Sequence, residues 1–173
     1  FSHQKGYDLL LQVASQLTKL PVQLVILGSG DAVLENELAK LAKTYPGKIA
    51  VHIGFNERLS HLIEAGADCF LMPSRFEPCG LNQMYAMRYG TIPIVSSVGG
   101  LKDTVPDFEQ DSGGNGIVIN DLDATGISEA ITRAEKLFAS QKTFIDLRQK
   151  ILELDFSWTH AAAQYAELYH QFK

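Results

Sequence analysis

The chain has 173 residues, 46% of them apolar and 20% charged, with a net charge of −5. That composition describes one globular domain large enough to bury a core, and its acidic balance argues against nucleic acid or an anionic membrane as partner. No apolar run approaches the roughly 20 residues that span a bilayer, and the two cysteines, Cys69 and Cys79, form neither a disulfide framework nor a CxxC metal pair.

Helical and strand patterns alternate along the chain. "YDLLLQVASQL" (7–17) carries an apolar stripe at Leu9, Leu10, Val13, Ala14 and Leu17. "VQLVIL" (22–27) reads as a strand ending at "GSGD". Asp31 is placed to cap a helix over 31–45, and "KIAVHIG" (48–54) is the next strand. A helix over 56–66 stops at Gly66. It is followed by a strand at 69–73, a helix over 81–90, and strands at 91–96 and 116–119. Three helices complete the pattern, over 125–139, 143–154 and 157–172, the last capped by Ser157. "VPDFEQDSGGNG" (105–116) reads as an irregular surface loop. The strands are continuous apolar runs, which predicts cover on both faces.

This alternation predicts an α/β fold, a doubly wound, mostly parallel, Rossmann-like sheet in a single domain over 1–173. Such a unit ordinarily opens on a strand that lies centrally, whereas this chain opens on a helix. A strand is therefore expected just before Phe1.

In open parallel sheets, ligands bind beyond the carboxyl ends of the strands. "PSRFEPCGLNQMYAMRYG" (73–90) lies at such an end. The helix after Gly80 offers unpartnered N–H groups and a positive dipole end to an anion. Glu77 suits hydroxyl groups, as on a sugar. The plainer reading, equally open on these residues, is a surface ion pair between Arg75 and Glu77 beside an ordinary glycine turn.

"SRFEPCGLNQMYAMRYGTIPIVSSVGGLKDTV", with "QKGYDLLL" near the start, "LGSGD" in the first quarter and "DFSW" near the end, resembles the bacterial glycogen synthases and plant starch synthases. These are retaining glucosyltransferases of the two-domain GT-B architecture. The resemblance implies the C-terminal, nucleotide-sugar-binding half of such an enzyme, with ADP-glucose as donor and no metal or other cofactor. It implies that Lys5 neutralises the donor diphosphate and that Glu77 contacts the transferred glucose. Gly80, Leu81 and Asn82 would meet the distal phosphate through backbone amides, and Cys79 would form a wall near the glucose. Ser74 and Arg75 fall with them in the substrate-binding stretch. Gly54 and Phe55 would border the nucleobase, with Phe55 offering a face for stacking. The family usually has threonine where this chain has Asn82, and its second cationic clamp, an arginine, would fall just before Phe1.

Other signals carry less. "GSGD" lacks the full GxGxxG, since Val33 takes the last glycine's place. "DFEQDSGG" lacks the glycine and the closing glutamate of a calcium loop. The histidines lack HxxxH spacing. The last helix carries an apolar stripe of Trp158, Ala161, Ala162, Tyr165, Leu168, Tyr169 and Phe172. By resemblance this stripe crosses to an N-terminal domain that also supplies the α-1,4-glucan site, and without that domain it invites self-association. The chain alone is expected to be inactive, and the reduced thiols suit the cytoplasm. Two rival readings are a GT-B transferase with another donor and a non-catalytic nucleotide-sensing domain.

Overall fold

A computed structural model describes residues 1–172. Its elements run α1 (Tyr7–Leu17), β1 (Leu24–Gly28), α2 (Ala32–Thr44), β2 (Ile49–Ile53), α3 (Glu57–Gly66) and β3 (Cys69–Met72). They continue with α4 (Asn82–Arg88), β4 (Ile92–Ser96), α5 (Gly99–Thr104), β5 (Ile117–Ile119), α6 (Ala124–Ala139), α7 (Gln141–Leu152) and α8 (Trp158–His170).

The helix boundaries follow local chemistry. The Asp31 carboxylate accepts the N–H groups of Val33 at 2.8 Å and Leu34 at 3.1 Å, fixing the start of α2. Asn56 does the same for Leu59 at 2.9 Å, and Ser157 caps α8. One helix is absent from the sequence reading. α5 opens on Gly99 and Gly100, a pair that weakens a helical pattern, and long-range packing selects it.

Every strand pairing is parallel, as expected, but the strands fall into two sheets. β1 pairs with β2, Leu24 opposite Ile49. β3 pairs with β4 and β4 with β5, Cys69 opposite Ile92 and Ile94 opposite Ile117. Two-sided cover holds for β4, which is buried at every position. It fails for the β1–β2 pair, where Val25 is 52% exposed and Ile53 43%. The core joins Val13 of α1, Leu38 of α2, Ile92 and Val95 of β4, Ile117 of β5 and Ile127 of α6.

The 105–116 segment is more ordered than a surface loop. Asp107 is buried, and its carboxylate accepts two bonds from Arg133 at 2.7 and 2.8 Å and the Val118 N–H at 2.7 Å. Burial pushes this carboxyl's pKa up, but the Arg133 guanidinium and the backbone N–H groups outweigh it and hold it below the ordinary aspartate value.

Candidate active site

The strands are parallel within each sheet, and the opening segment links the carboxyl ends of the two: the Asp31 N–H, beyond β1, donates to the Phe1 carbonyl, and the Arg75 N–H, beyond β3, to that of Gln4. The Phe1–Gly6 segment, the 73–81 hinge and the Gly54–Phe55 turn all lie at such strand ends. The sequence builds this edge by close backbone approach. Gly6 has φ +76°, and a Cβ there would stand 2.1 Å from the Pro73 carbonyl oxygen. That glycine seats the Lys5 turn against the end of β3.

There the Lys5 ammonium meets the Glu77 carboxylate. Glu77 is buried, while the Lys5 side chain is 45% exposed. The same carboxylate oxygen lies 3.3 Å from the Ser74 hydroxyl. Ser74 is itself buried, and its carbonyl accepts the Ser96 hydroxyl from the end of β4. The fold thus brings together Lys5, Ser74 and Glu77, a cation, a hydroxyl and an acid.

Arg75 lies elsewhere. It does not pair with Glu77, as the plainer reading had it. Its guanidinium forms two 2.7 Å bonds to the Asp8 carboxylate and one, also from Nη1, to the His3 carbonyl. The hydrogen bond from Arg75, with its charge, holds the Asp8 carboxyl below the usual range despite some burial. The reason is geometric: Glu77 turns into the buried edge, whereas Arg75 turns outward onto the first turn of α1.

The turn leading into α4 is held from behind. The Gln83 amide, fully buried, donates to the carbonyls of Cys79 at 3.2 Å and Gly80 at 3.0 Å and to the Thr104 hydroxyl at 3.1 Å. The first N–H groups of a helix have no acceptor within it, and no side chain caps those of α4, where Met84 is the first to donate, to the Leu81 carbonyl at 2.9 Å. Gly80 has φ +71°, and a Cβ there would meet the Gln83 amide oxygen at 2.5 Å. Gln83 and Thr104 carry no motif spacing that would single them out in the sequence. The same holds for Gly99 and Gly100, although they stand within the resembling stretch. A Cβ on Gly99 would stand 2.1 Å from the Glu77 carbonyl oxygen, and one on Gly100 would stand 2.1 Å from that of Cys79.

The other predicted residues are placed as follows. Cys79 is exposed, with its sulfur 3.5 Å from the Gly80 carbonyl oxygen. Leu81 and Asn82 are exposed at the start of α4. Gly54 closes the end of β2, its N–H donating to the Gly28 carbonyl at 2.8 Å, and Phe55 beside it is 90% exposed. Among the described residues, no hydrogen bond or ion pair joins Gly54 or Phe55 to Lys5 or Glu77. Among the described residues, no group of three or more His, Cys, Asp or Glu side chains is arranged to hold a metal, and no helix is long and apolar enough to cross a membrane.

Residues 1–150 match the family model described as "Glycosyl transferases group 1". The chain belongs to that family. Its parallel α/β architecture is that of the GT-B glycosyltransferases. Among curated proteins it is 50% identical over 172 residues to a glycogen synthase of Nitrosomonas eutropha, covering 97% of this chain and 34% of that protein. It is 51% identical over 170 residues to one of Dechloromonas aromatica, covering 96% and 35%. Among solved structures it superposes on the catalytic domain of starch synthase IV from Arabidopsis thaliana, bound to ADP and acarbose, with a TM-score of 0.89. The two are 35% identical, and the match covers 99% of this chain and 36% of that one. The chain thus spans about a third of the length of the relatives it matches.

Proposed function

We propose that this chain is the donor-binding half of a glucan synthase that transfers glucose from ADP-glucose to the non-reducing end of an α-1,4-glucan, with retention. The observation that carries this reading is the Lys5–Glu77–Ser74 cluster at the carboxyl edge, beside a turn whose amides have no protein acceptor. As the glycosidic bond breaks, negative charge develops on the leaving diphosphate. Lys5 and the backbone N–H groups of 80–82 stand where fixed positive ends stabilise that charge. Glu77 accepts sugar hydroxyls, Ser74 steadies its carboxylate, and Cys79 lines the sugar side. Phe55 offers an exposed ring to adenine and Gly54 gives it close approach. Arg75 acts from outside the cluster by holding α1 to the hinge.

The Lys5 ammonium pairs with the Glu77 carboxylate. Donor binding exchanges partners: the ammonium turns to phosphate and the carboxylate to hydroxyls. Both charges thus stay compensated, which limits the desolvation cost of binding. The acceptor glucan is bound by a second domain, on which the exposed face of α8 docks. This half alone is inactive, and its two free thiols fit a reducing cytoplasm.

Calorimetric titration of the chain with ADP, ADP-glucose and UDP-glucose tests the reading. ADP-glucose should bind, and Glu77→Ala should weaken ADP-glucose far more than ADP. Equal binding of UDP-glucose would favour a transferase with another donor. Full glucan elongation after Glu77→Ala in a full-length enzyme would favour a nucleotide sensor.

A further inference from the structure

The two peptide planes of the turn before α4 are held by one side chain. The carbonyls of Cys79 and Gly80 both accept from the Gln83 amide nitrogen, at 3.2 and 3.0 Å. Every described peptide bond is trans. In a trans peptide plane the C=O of one residue and the N–H of the next point in opposite directions. Two carbonyls drawn onto one nitrogen therefore turn the N–H groups of Gly80 and Leu81 away from it, to the outer side of the turn. Gly80 has φ +71°, and Leu81 follows in the right-handed region. A left-handed residue followed by a right-handed one is the succession in which neighbouring N–H groups converge on an anion. Among the described residues, neither of these N–H groups donates to a backbone acceptor.

Gln83 gives up part of its own bonding to do this. It is fully buried, and among the described residues its Oε1 has no hydrogen-bond partner. A buried amide oxygen ordinarily finds a donor. A methionine of like volume would fill the same space and leave nothing unpaired. Nor can the amide gain by turning over. Its nitrogen also faces the Thr104 hydroxyl at 3.1 Å, and that hydroxyl gives its own proton to the Gly100 carbonyl at 2.6 Å. Three acceptors thus surround one donor, and an oxygen in its place would meet only lone pairs. Thr104 is fixed in turn, since its carbonyl accepts the side-chain amide of the buried Asn115 at 3.0 Å.

We propose that Gln83 is a positioning residue for the distal phosphate of a nucleoside diphosphate, with Thr104 setting the orientation of its amide. Its side chain lies behind the turn and touches no substrate. It acts by fixing the direction of the Gly80 and Leu81 N–H groups before the diphosphate arrives, so that binding need not turn the peptides. This role rests on the donor site proposed above and adds to it the side chain that keeps the turn ready for an anion. Lys5 brings charge to the diphosphate, and Gln83 brings direction. A nucleoside monophosphate lacks the distal phosphate, so its affinity is indifferent to Gln83.

Calorimetry of the whole chain with ADP and with AMP tests this through a ratio. The wild type should bind ADP more tightly than AMP. Gln83→Met keeps the volume and removes both N–H groups. It should lower ADP affinity about 10- to 100-fold, the worth of a hydrogen bond to a charged group, and leave AMP unchanged. Thr104→Val removes the hydroxyl at nearly constant shape and should lower ADP affinity about three- to tenfold. Thr104→Ser, which keeps the hydroxyl, should hold the wild-type ratio. A substitution that merely loosened the fold would weaken both nucleotides together. An ADP preference that survives Gln83→Met overturns the proposal and leaves the donor site standing. Equal weakening of ADP and AMP overturns it too, because Gln83 would then serve only the fold. Should Gln83→Met fail to fold, the Thr104 variants decide: a ratio unmoved by Thr104→Val, or lost equally in Thr104→Ser, overturns the proposal. A wild-type chain that binds ADP no better than AMP overturns the donor-site reading itself, and the role of Gln83 with it.

Discussion

Lys5 and Glu77, separated by 72 positions in sequence, meet as an ion pair at the carboxyl edge of the parallel strands, the acid buried and the base half-exposed. The asymmetry matters. The carboxylate has few alternatives to its partner, while the ammonium is free to swing toward solvent or an incoming phosphate. Replacing Lys5 by alanine should therefore do two things. It should weaken ADP about 10- to 100-fold, the worth of one charge-assisted hydrogen bond at about 1.5–3 kcal/mol. It should also lower Tm by leaving Glu77 buried without its cation. The double variant Lys5→Ala, Glu77→Gln should recover much of the Tm and none of the ADP affinity. Calorimetry and thermal melts on the same samples check both, and a double variant whose Tm stays as low as that of Lys5→Ala would contradict the pairing.

Arg133 should prove a structural key. It is 19% exposed and bonds the buried Asp107 carboxylate through two hydrogen bonds. Arg133→Met should cost about 3 kcal/mol or more, because it strands a buried charge. The pH dependence has a definite sign. The Asp107 pKa is depressed on folding, so its contribution is full above the unfolded value and disappears as pH falls through the lower, folded one. Wild-type and variant stabilities should therefore differ most at neutral pH and converge in acid. Urea unfolding between pH 7 and pH 3 measures this, and a gap that stays constant would rule the pair out as its source.

Gly100→Ala should disturb the donor turn from outside it. The added methyl would stand 2.1 Å from the Cys79 carbonyl oxygen, and backbone on backbone has little room to yield. The expected result is a loss of about 1–3 kcal/mol of stability, typical of overpacking, together with weaker ADP binding through a displaced 79–81 turn. Alanine at Gly66, where a Cβ would meet nothing within 4 Å and φ is not positive, should leave ADP binding unchanged. A nucleotide affinity insensitive to Gly100→Ala would show that the turn is not held from this side.

The two thiols should react very differently. Burial, helped by Asp68, pushes the Cys69 pKa up to about 12, while Cys79 is exposed. At pH 8, iodoacetamide should alkylate Cys79 alone, since the thiolate is the reactive form. ADP-glucose should slow that reaction if the sugar lies against Cys79. Mass spectrometry of tryptic peptides reports the site, and equal labelling of both cysteines would refute the difference.

Much of the architecture was legible because local signals agreed with the packing. The stripe from Leu9 to Leu17 marks α1, and Asp31 and Ser157 mark the starts of α2 and α8. α5 was not, because Gly99 and Gly100 argue locally against a helix; the backbones of Glu77 and Cys79 come so close that only glycine fits there. The partner of Arg75 was not legible either, for a related reason. Glu77 is two residues away, and sequence proximity favours it, but the chain turns one side chain inward and the other outward. Asp8, 67 positions away, takes the guanidinium. The division into two sheets was not legible either, since periodicity reports strands but not which edges meet.

The Arg75–Asp8 pair has a mechanical consequence. Asp8 sits in the first turn of α1, and Phe1, seven residues earlier, is bonded to the end of β1, while Arg75 leaves the end of β3. One short length of backbone is therefore stapled to both halves of the molecule, and Lys5 rides midway along it. Any motion that parts the two halves must pull on that staple, so a shear in the scaffold reaches the ammonium without passing through the core.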